Sequence, residues 1–320
     1  MIAVTRDSFR LKQVFTISRG SRTQAEVLTV TVTRDGLSGR GECVPYARYG
    51  ETLDSVTAQI DGLDPSISRF DLQAALPPGA ARNAVDCALW DLEAKHAGKP
   101  VWQLAGLTEP TALLTAFTLS LDAPEAMQAE AAKHAARPLL KTKLGGEGDL
   151  ARLGAVRAGA PDARIIVDAN EGWNGETYRE LAPAMAQLGV EVIEQPMPVG
   201  ADEVLSEIER VLPVCADESC HDRASLEELV GKYDMVNIKL DKTGGLTEAL
   251  ALKSEAEKMG FRVMVGCMVG SSLAMAPAVL VAQGVEIIDL DGPLLLAEDR
   301  NSALEYVGSQ VSPARSELWG

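Results

Sequence analysis

The stretch Leu139-Leu140-Lys141-Thr142-Lys143-Leu144 places two lysines inside an apolar, strand-like run. A third lysine has the same setting in Val236-Asn237-Ile238-Lys239-Leu240. A lysine in such a segment must be paired or lose its hydration at a cost, so its presence needs a reason. Between the two runs, three more apolar runs end in the carboxylates Asp168, Glu194 and Asp217. We interpret these charges as one active site, in which two amine bases flank a divalent cation.

Apolar β-type runs alternate with helical stretches from about residue 112 onward. Alternating strands and helices predict parallel strands, and eight such units predict an α/β fold, a (β/α)8-type barrel. Helices are predicted over residues 123–136, 243–259 and 273–283. The eight predicted strands are residues 113–119, 139–144, 165–168, 190–194, 214–217, 235–239, 262–266 and 286–289.

The charged or small residues at the predicted strand ends follow one another at intervals of 22 to 27 residues, the length of one strand–helix unit. In such a barrel the carboxyl ends of all strands converge on one mouth, where catalytic groups collect. Lys141 and Lys143 are two residues apart and therefore point to the same side of their strand. The pattern predicts that residues distant in sequence become neighbours.

Residues 1–111 have a different pattern and predict an α+β capping domain. A β run over residues 27–33 is followed by the turn Asp35-Gly36, a second strand toward Cys43 and a helix with a buried face over residues 80–92. We expect the barrel domain to occupy residues 112–295. The last segment, residues 296–320, is expected to return and pack against the capping domain.

The formal charge of −16 argues against nucleic acid or an anionic membrane surface as a partner. Charges in the first seven residues argue against a signal peptide. The apolar stretch from 263 to 285 is interrupted by glycines, serines and a proline, so we do not interpret it as a membrane span. Five scattered cysteines without a CxxC motif are typical of reduced thiols, which favours a cytoplasmic protein.

Asp168, Glu194 and Asp217 offer hard oxygen ligands from three successive strand ends. This set suits Mg²⁺, or alternatively Mn²⁺, better than zinc, and no histidine has a comparable position. A single carboxylate of this kind is more often a helix cap or a salt-bridge partner. Three in consecutive units favour a metal site, with Asn170 and Glu218 in supporting positions beside it.

The lysines suggest removal of a proton from a carbon atom beside a carboxylate. Strands two and six lie on opposite sides of an eight-stranded mouth, so Lys143 and Lys239 can face the two sides of one carbon. Repulsion from Lys141 favours the neutral amine that a base requires. Taken singly, Lys141 could instead extend its amine to solvent and Lys239 could pair with a structural carboxylate.

At this point the sequence resembles the muconate-lactonising subgroup of the enolase superfamily, and within it the dipeptide epimerases of the L-Ala-D/L-Glu type. The resemblance implies the modified TIM barrel of that superfamily, with Lys143 and Lys239 as the acid/base pair. The motifs that carry it are Lys141-Thr142-Lys143, Asp168-Ala169-Asn170, Glu194-Gln195-Pro196, Ala216-Asp217-Glu218-Ser219 and Asn237-Ile238-Lys239-Leu240-Asp241-Lys242.

Substrate-binding residues are also implied by the resemblance. Asp289-Leu290-Asp291 matches a DxD feature that holds the free ammonium of a dipeptide, and Arg22 of Arg19-Gly20-Ser21-Arg22 matches an arginine that binds a glutamate side chain. Without the resemblance, we would interpret Asp289 as a cap, Asp291 as part of a turn and Arg22 as a solvated surface arginine. Further expected substrate contacts are Thr118, Gly266 and Met268.

The resemblance thus implies an isomerase, a Mg²⁺-dependent epimerase of Ala-Glu-type dipeptides acting in murein peptide recycling. The alternatives are a cycloisomerase, lyase or acid-sugar dehydratase on the same scaffold, and a non-catalytic binding barrel. The expected partner is a small dipeptide, and a homo-oligomer is compatible with the sequence.

Overall fold

The computed structural model describes residues 1–320. The N-terminal part begins with the elements β1 (Ile2–Ile17), β2 (Gly20–Arg34), β3 (Leu37–Cys43), α1 (Leu53–Asp61), α2 (Arg69–Ala75), α3 (Ala80–Ala97) and α4 (Val101–Leu104). Its strands form an antiparallel sheet with the order β1-β2-β3, which the helices cover. Helix α3 approaches β3 so closely that a Cβ atom at Gly41 would lie 2.1 Å from the carbonyl oxygen of Ala84, so glycine is required there.

A two-residue strand, β4 (Leu113–Leu114), precedes an eight-stranded sheet in which each strand pairs in parallel with the next in the chain. The backbone N–H of Ala116 donates to the carbonyl of Ile288 at 2.8 Å, which brings the two ends of the sheet together as a barrel. The predicted barrel is therefore confirmed. Its strands are β5 (Phe117–Leu119), β6 (Leu139–Lys143), β7 (Arg164–Asp168), β8 (Val190–Glu194), β9 (Val214–Ala216), β10 (Met235–Ile238), β11 (Arg262–Gly266) and β12 (Ile287–Asp289).

Helices follow most barrel strands, but the unit after β8 contains only a 3₁₀ turn at Glu203–Ser206. That connection contains Pro196, Pro198 and Pro213, each of which lacks the N–H that a helix interior needs. The helices are α5 (Pro124–Lys133), α6 (Asp149–Gly159), α7 (Gly175–Gln187), α8 (Leu226–Leu229), α9 (Leu240–Thr243), α10 (Leu246–Lys258), α11 (Ser272–Val281) and α12 (Gly292–Leu295). None of them has the combination of length and apolarity that crossing a bilayer requires.

The prediction of one continuous first strand over residues 113–119 is wrong. Residues Leu113–Leu114 pair instead with β14 in a small separate sheet, whose strands are β13 (Tyr306–Val307) and β14 (Gln310–Val311). Thr115 explains the break, because its N–H donates to Ser309 and its hydroxyl accepts from the N–H of Leu290. The barrel strand consequently begins only at Phe117.

The C-terminal segment returns to the N-terminal part. The N–H of Ala297 donates to the carbonyl of Arg10 in β1 at 2.8 Å. Further on, the indole N–H of Trp319 donates to the carbonyl of Cys87 in α3 at 2.9 Å. The tail thus lies against the helix and the sheet of the N-terminal part.

One apolar layer crosses the barrel interior and fixes which side chains point inward. It contains one fully or almost fully buried residue from each strand or from its N-terminal flank. Since side chains alternate along a strand, the residues two positions further on point inward as well, closer to the mouth. The layer consists of Ala116, Leu139, Ile166, Val192, Cys215, Met235, Met264 and Ile287.

Candidate active site

A polar layer lies directly above the apolar one, two residues further along every strand. It contains the lysine, the carboxylates and the glycine that the sequence pattern singled out, together with one amide. Every side chain in it that carries a charge is buried, with no more than 4 % of the residue exposed. This polar layer consists of Thr118, Lys141, Asp168, Glu194, Asp217, Asn237, Gly266 and Asp289.

The three predicted metal ligands lie together. Asp168, Glu194 and Asp217 each offer an oxygen, and these atoms all lie within 4.8 Å of one another. Burial and the charge of Asp168 raise the pKa of Glu194 to about 7. In Asp168 the lysine charges outweigh the burial and hold the pKa at about 2. An all-oxygen, buried, anionic cluster fits a hard divalent cation such as Mg²⁺.

Lys141 lies at the centre of this negative charge. Its Nζ atom is 2.6 Å from Oε2 of Glu194, 3.3 Å from Oδ2 of Asp168 and 2.8 Å from Oδ2 of Asp289. Burial would lower the pKa of Lys141, but these carboxylates raise it well above its ordinary value. The Lys141 ammonium thus balances the charge of the carboxylates that surround it.

Lys143 and Lys239 approach the cluster from opposite sides. Lys143 Nζ lies 2.5 Å from Oδ2 of Asp168, and Lys239 Nζ lies 2.6 Å from Oδ2 of Asp217. Their strands, β6 and β10, are four positions apart in the ring of eight. The charges of Asp217 and Glu194 overcome burial and raise the pKa of Lys239 well above its ordinary value. Both lysines line the cavity at the barrel mouth.

Two residues that contact the predicted metal ligands were not identified as site residues from the sequence. Asn237 donates from Nδ2 to Oε1 of Glu194 at 2.7 Å, and Lys242 binds Oδ1 of Asp217 at 2.7 Å. Asn237 could have been found, because it lies two residues after an inward-facing Met235. Lys242 follows the strand by one helical turn, at a position where the sequence alone predicts a solvent-exposed lysine.

The supporting residues Asn170 and Glu218 lie where the metal carboxylates meet the N-terminal part. The N–H of Asn170 donates to Oδ1 of Asp168 at 2.9 Å. Glu218 accepts from the Arg19 guanidinium at 2.7 Å. Arg19 had no role in the sequence-based prediction, although it begins the quoted Arg19–Arg22 motif.

Arg22 lies at the rim of the cavity, at the start of β2. Its guanidinium lies over the Tyr46 ring, 5.0 Å from the ring centroid, and it has no carboxylate partner in the protein. Arg22 is therefore available for an anionic group of a ligand.

Asp289 and Asp291 both line the cavity, beside Thr118. The Thr118 hydroxyl donates to Asp289 at 3.3 Å and its N–H donates to Oδ2 of Asp291 at 2.6 Å. Burial, reinforced by the charge of Asp289, raises the pKa of Asp291 to about 7. A cation placed between the two would relieve this repulsion.

The two expected contacts in the loop after β11 have different positions. Met268 lines the cavity, and Gly266 is not among its lining residues. A Cβ atom at Gly266 would lie 2.7 Å from Oδ1 of Asn237, so this glycine leaves room for that amide. The space at Gly266 thus holds the amide that donates to Glu194.

Comparison with known protein families gives two matches that together cover most of the chain. Residues 1–106 match the mandelate racemase / muconate lactonizing enzyme N-terminal domain, and residues 124–298 match the enolase C-terminal domain-like family. A relative from Pseudoalteromonas, an N-acetyl-D-glutamate racemase, is 47% identical over 92% of this chain and 95% of its own length. The L-Ala-D/L-Glu epimerase of Escherichia coli is 45% identical over 97% of this chain and 98% of its own length.

Solved structures give the same picture. An enolase family member from Agrobacterium tumefaciens with homology to dipeptide epimerases, solved with sodium and L-Ala-L-Glu, has a TM-score of 0.98 and 55% identity. The match covers 100% of this chain and 99% of that one. A dipeptide epimerase from Cytophaga hutchinsonii, complexed with Mg and D-Ala-L-Val, has a TM-score of 0.91 and 29% identity, covering 98% of this chain and 92% of that one.

Proposed function

The chain belongs to the mandelate racemase / muconate lactonizing enzyme family of the enolase superfamily, and we propose that it epimerises dipeptides of the L-Ala-D/L-Glu type. The observation that carries the proposal is the placement of Lys143 and Lys239 on opposite sides of one acidic cluster. A single base would suffice for elimination, whereas stereoinversion needs a proton carrier on each face of the carbon.

In the proposed reaction the second residue of the dipeptide lies between the two lysines. One amine takes the α-proton, and the ammonium on the opposite face returns a proton to the same carbon, so that configuration inverts without net oxidation. Asp168, Glu194 and Asp217 would hold Mg²⁺, which supplies stabilisation of the negative charge that develops on the substrate carboxylate. Lys141 adds a fixed positive charge beside the cluster.

The two ends of the dipeptide are recognised by opposite charges. Asp289 and Asp291 hold the N-terminal ammonium, and their mutual repulsion is relieved by that cation. Arg22 pairs with the side-chain carboxylate of a C-terminal glutamate, because it is the mouth arginine without a carboxylate partner. Thr118 orients the two aspartates, and Met268 packs against the dipeptide from the cavity wall.

A second candidate is racemisation of an N-acylated glutamate, which the similarity to the Pseudoalteromonas enzyme favours. Such a substrate keeps both carboxylates but has no ammonium for Asp289 and Asp291. The pair of buried aspartates therefore favours the dipeptide. The substrate of a cycloisomerase, lyase or dehydratase would likewise offer no ammonium group to Asp291, which has no lysine or arginine partner in the protein.

A direct test incubates the protein and Mg²⁺ with L-Ala-L-Glu and, separately, with L-Ala-D-Glu. Chiral chromatography follows the two diastereomers over time. Both dipeptides are expected to give the same mixture. N-acetylglutamate is incubated in parallel, and its racemisation without conversion of either dipeptide would favour the second candidate instead. We place the reaction in the recycling of murein peptides in the cytoplasm.

A further inference from the structure

The loop that follows β7 turns sharply toward the N-terminal part. Asn170 and Glu171 have φ angles of 44° and 64°, in the left-handed region that residues other than glycine seldom adopt. The N–H of Glu171 donates to the carbonyl of Gln195 at 2.9 Å, which holds this turn. The turn lies only two to three residues beyond the proposed metal ligand Asp168.

The Glu171 carboxylate binds two separate loops of the N-terminal part. Arg48 donates to both of its oxygens, from Nε and from Nη2, each at 2.7 Å. Arg19 Nη1 lies 3.3 Å from Oε2 of the same carboxylate. The backbone N–H of Val199 occupies a further acceptor site at 3.0 Å. One side chain, 9 % exposed, therefore connects both loops to the barrel.

Arg19 lies in the hairpin turn between β1 and β2, three residues before Arg22 at the start of β2. Arg19 is fixed further by Glu218 at 2.7 Å and by the carbonyl of Asn170 at 3.1 Å. Of the three arginines at the mouth, Arg19 and Arg48 are thus paired with barrel carboxylates, while Arg22 is left unpaired. Arg22 therefore lies in the same hairpin as the anchored Arg19.

We propose that Glu171 is a positioning residue for substrate specificity. By binding Arg19 and Arg48 it fixes the two loops and occupies both arginines, so that Arg22 alone reads the distal carboxylate of the substrate. This inference rests on the proposed dipeptide epimerase activity. It goes beyond that activity because Glu171 touches neither the reacting carbon nor the metal ligands.

The test compares Glu171→Gln with the matched variant Glu180→Gln, which changes an exposed glutamate of α7 without an ion pair. Glutamine keeps the size of the side chain and removes its charge. In Glu171→Gln, KM for L-Ala-L-Glu should rise about fivefold, the effect of roughly 1 kcal/mol of lost ion pairing, with kcat nearly unchanged. KM for L-Ala-L-Ala, which lacks the distal carboxylate, should stay as in the wild type.

A double variant separates positioning from a general loss of stability. If Glu171 acts through Arg22, Glu171→Gln should cause no further loss on L-Ala-L-Glu once Arg22→Gln is present. Additive losses, an equal loss on both dipeptides, or a gain on the acidic dipeptide would each overturn the proposal. Glu180→Gln should match the wild type on both substrates.

Limited trypsin digestion checks the anchoring without turnover. Cleavage after Arg19 and Arg22 should be several-fold faster in Glu171→Gln than in the wild type or Glu180→Gln, and equal rates would contradict the anchoring. A wild-type protein that epimerises no dipeptide would overturn the proposed function, and with it the assigned specificity. Normal dipeptide turnover with an unchanged preference in Glu171→Gln would overturn this inference alone.

Discussion

The ammonium of Lys239 lies 2.6 Å from Oδ2 of Asp217, a carboxylate that is also a proposed metal ligand. Lys143 has the same relationship to Asp168 on the other side of the barrel. Each proposed acid/base lysine is thus held by a carboxylate that a divalent cation would also bind. Cation and lysine compete for the same negative charge, so metal occupancy and lysine basicity are linked.

Replacing either Lys143 or Lys239 by alanine should stop epimerisation, with a loss of about 10³-fold or more, because each lysine serves one face of the α-carbon. In D₂O each variant should still exchange the α-proton of one dipeptide diastereomer but not of the other. Rates are measured by NMR with L-Ala-L-Glu and L-Ala-D-Glu. Lys258→Ala, at an exposed ion pair of α10, is the control. Substantial epimerisation by either site variant would contradict the two-base assignment.

Gly266→Ala should weaken Mg²⁺ binding by about 10- to 100-fold, the range found when groups behind metal ligands are disturbed. The new methyl would lie 2.7 Å from Oδ1 and 2.9 Å from Nδ2 of Asn237, and would displace the amide that supports Glu194. Activity is titrated against Mg²⁺, and binding is measured by calorimetry. Gly154→Ala is the control, since nothing lies within 4 Å of its added methyl. An unchanged Mg²⁺ affinity in Gly266→Ala would show that Asn237 is not needed for the site.

Asp291→Asn should lower kcat/KM for L-Ala-L-Glu by about tenfold or more, because one of the two carboxylates that face the ammonium loses its charge. Asparagine can still accept the N–H of Thr118 through its side-chain oxygen. Turnover of N-acetylglutamate, which has no ammonium, should not fall. Parallel assays with both substrates measure the difference, and equal losses would remove Asp291 from ammonium recognition.

Asp241, at the boundary between the N-terminal part and the barrel, is expected to make stability depend on pH. Burial raises its pKa from 3.8 to about 7, although it accepts hydrogen bonds from Val44 and Asn83. The folded protein therefore binds a proton that the unfolded chain has released, and stability should fall as pH rises from about 4 to about 7. The loss should amount to about 2–4 kcal/mol.

Asp241→Asn mimics the protonated side chain, so it should match the wild type near pH 5 and be more stable near pH 8. Thermal unfolding at the two pH values measures this. If Tm changes by the same amount between the two pH values in the wild type and in the variant, Asp241 does not cause the pH dependence.

The barrel and its charged mouth were predictable because side-chain alternation and strand–helix alternation are local properties. Asp168, Glu194 and Asp217 end apolar runs, and parallel strands necessarily bring such ends together. The break between Leu114 and Phe117 was not predictable, because a distant strand, β14, competes for the backbone of Leu113–Leu114. Pairing with a remote segment leaves no mark in the local pattern.

The partners of the charged groups were likewise set by the fold. The sequence indicates that Lys141 is buried, but not that it contacts Glu194 and Asp289 across the ring. Gly266 was expected to touch substrate, whereas its neighbour in the structure is Asn237. Which polar groups meet inside a closed barrel depends on the register of strands that are far apart in the chain.

The central claim, two-base inversion at one carbon, is tested most directly by NMR of the wild-type protein in D₂O with Mg²⁺ and L-Ala-L-Glu. We predict that deuterium enters at the α-carbon of the glutamate residue only, and that labelled L-Ala-D-Glu accumulates at the same time. Absence of exchange at saturating dipeptide, or exchange at the alanine α-carbon, would contradict the account.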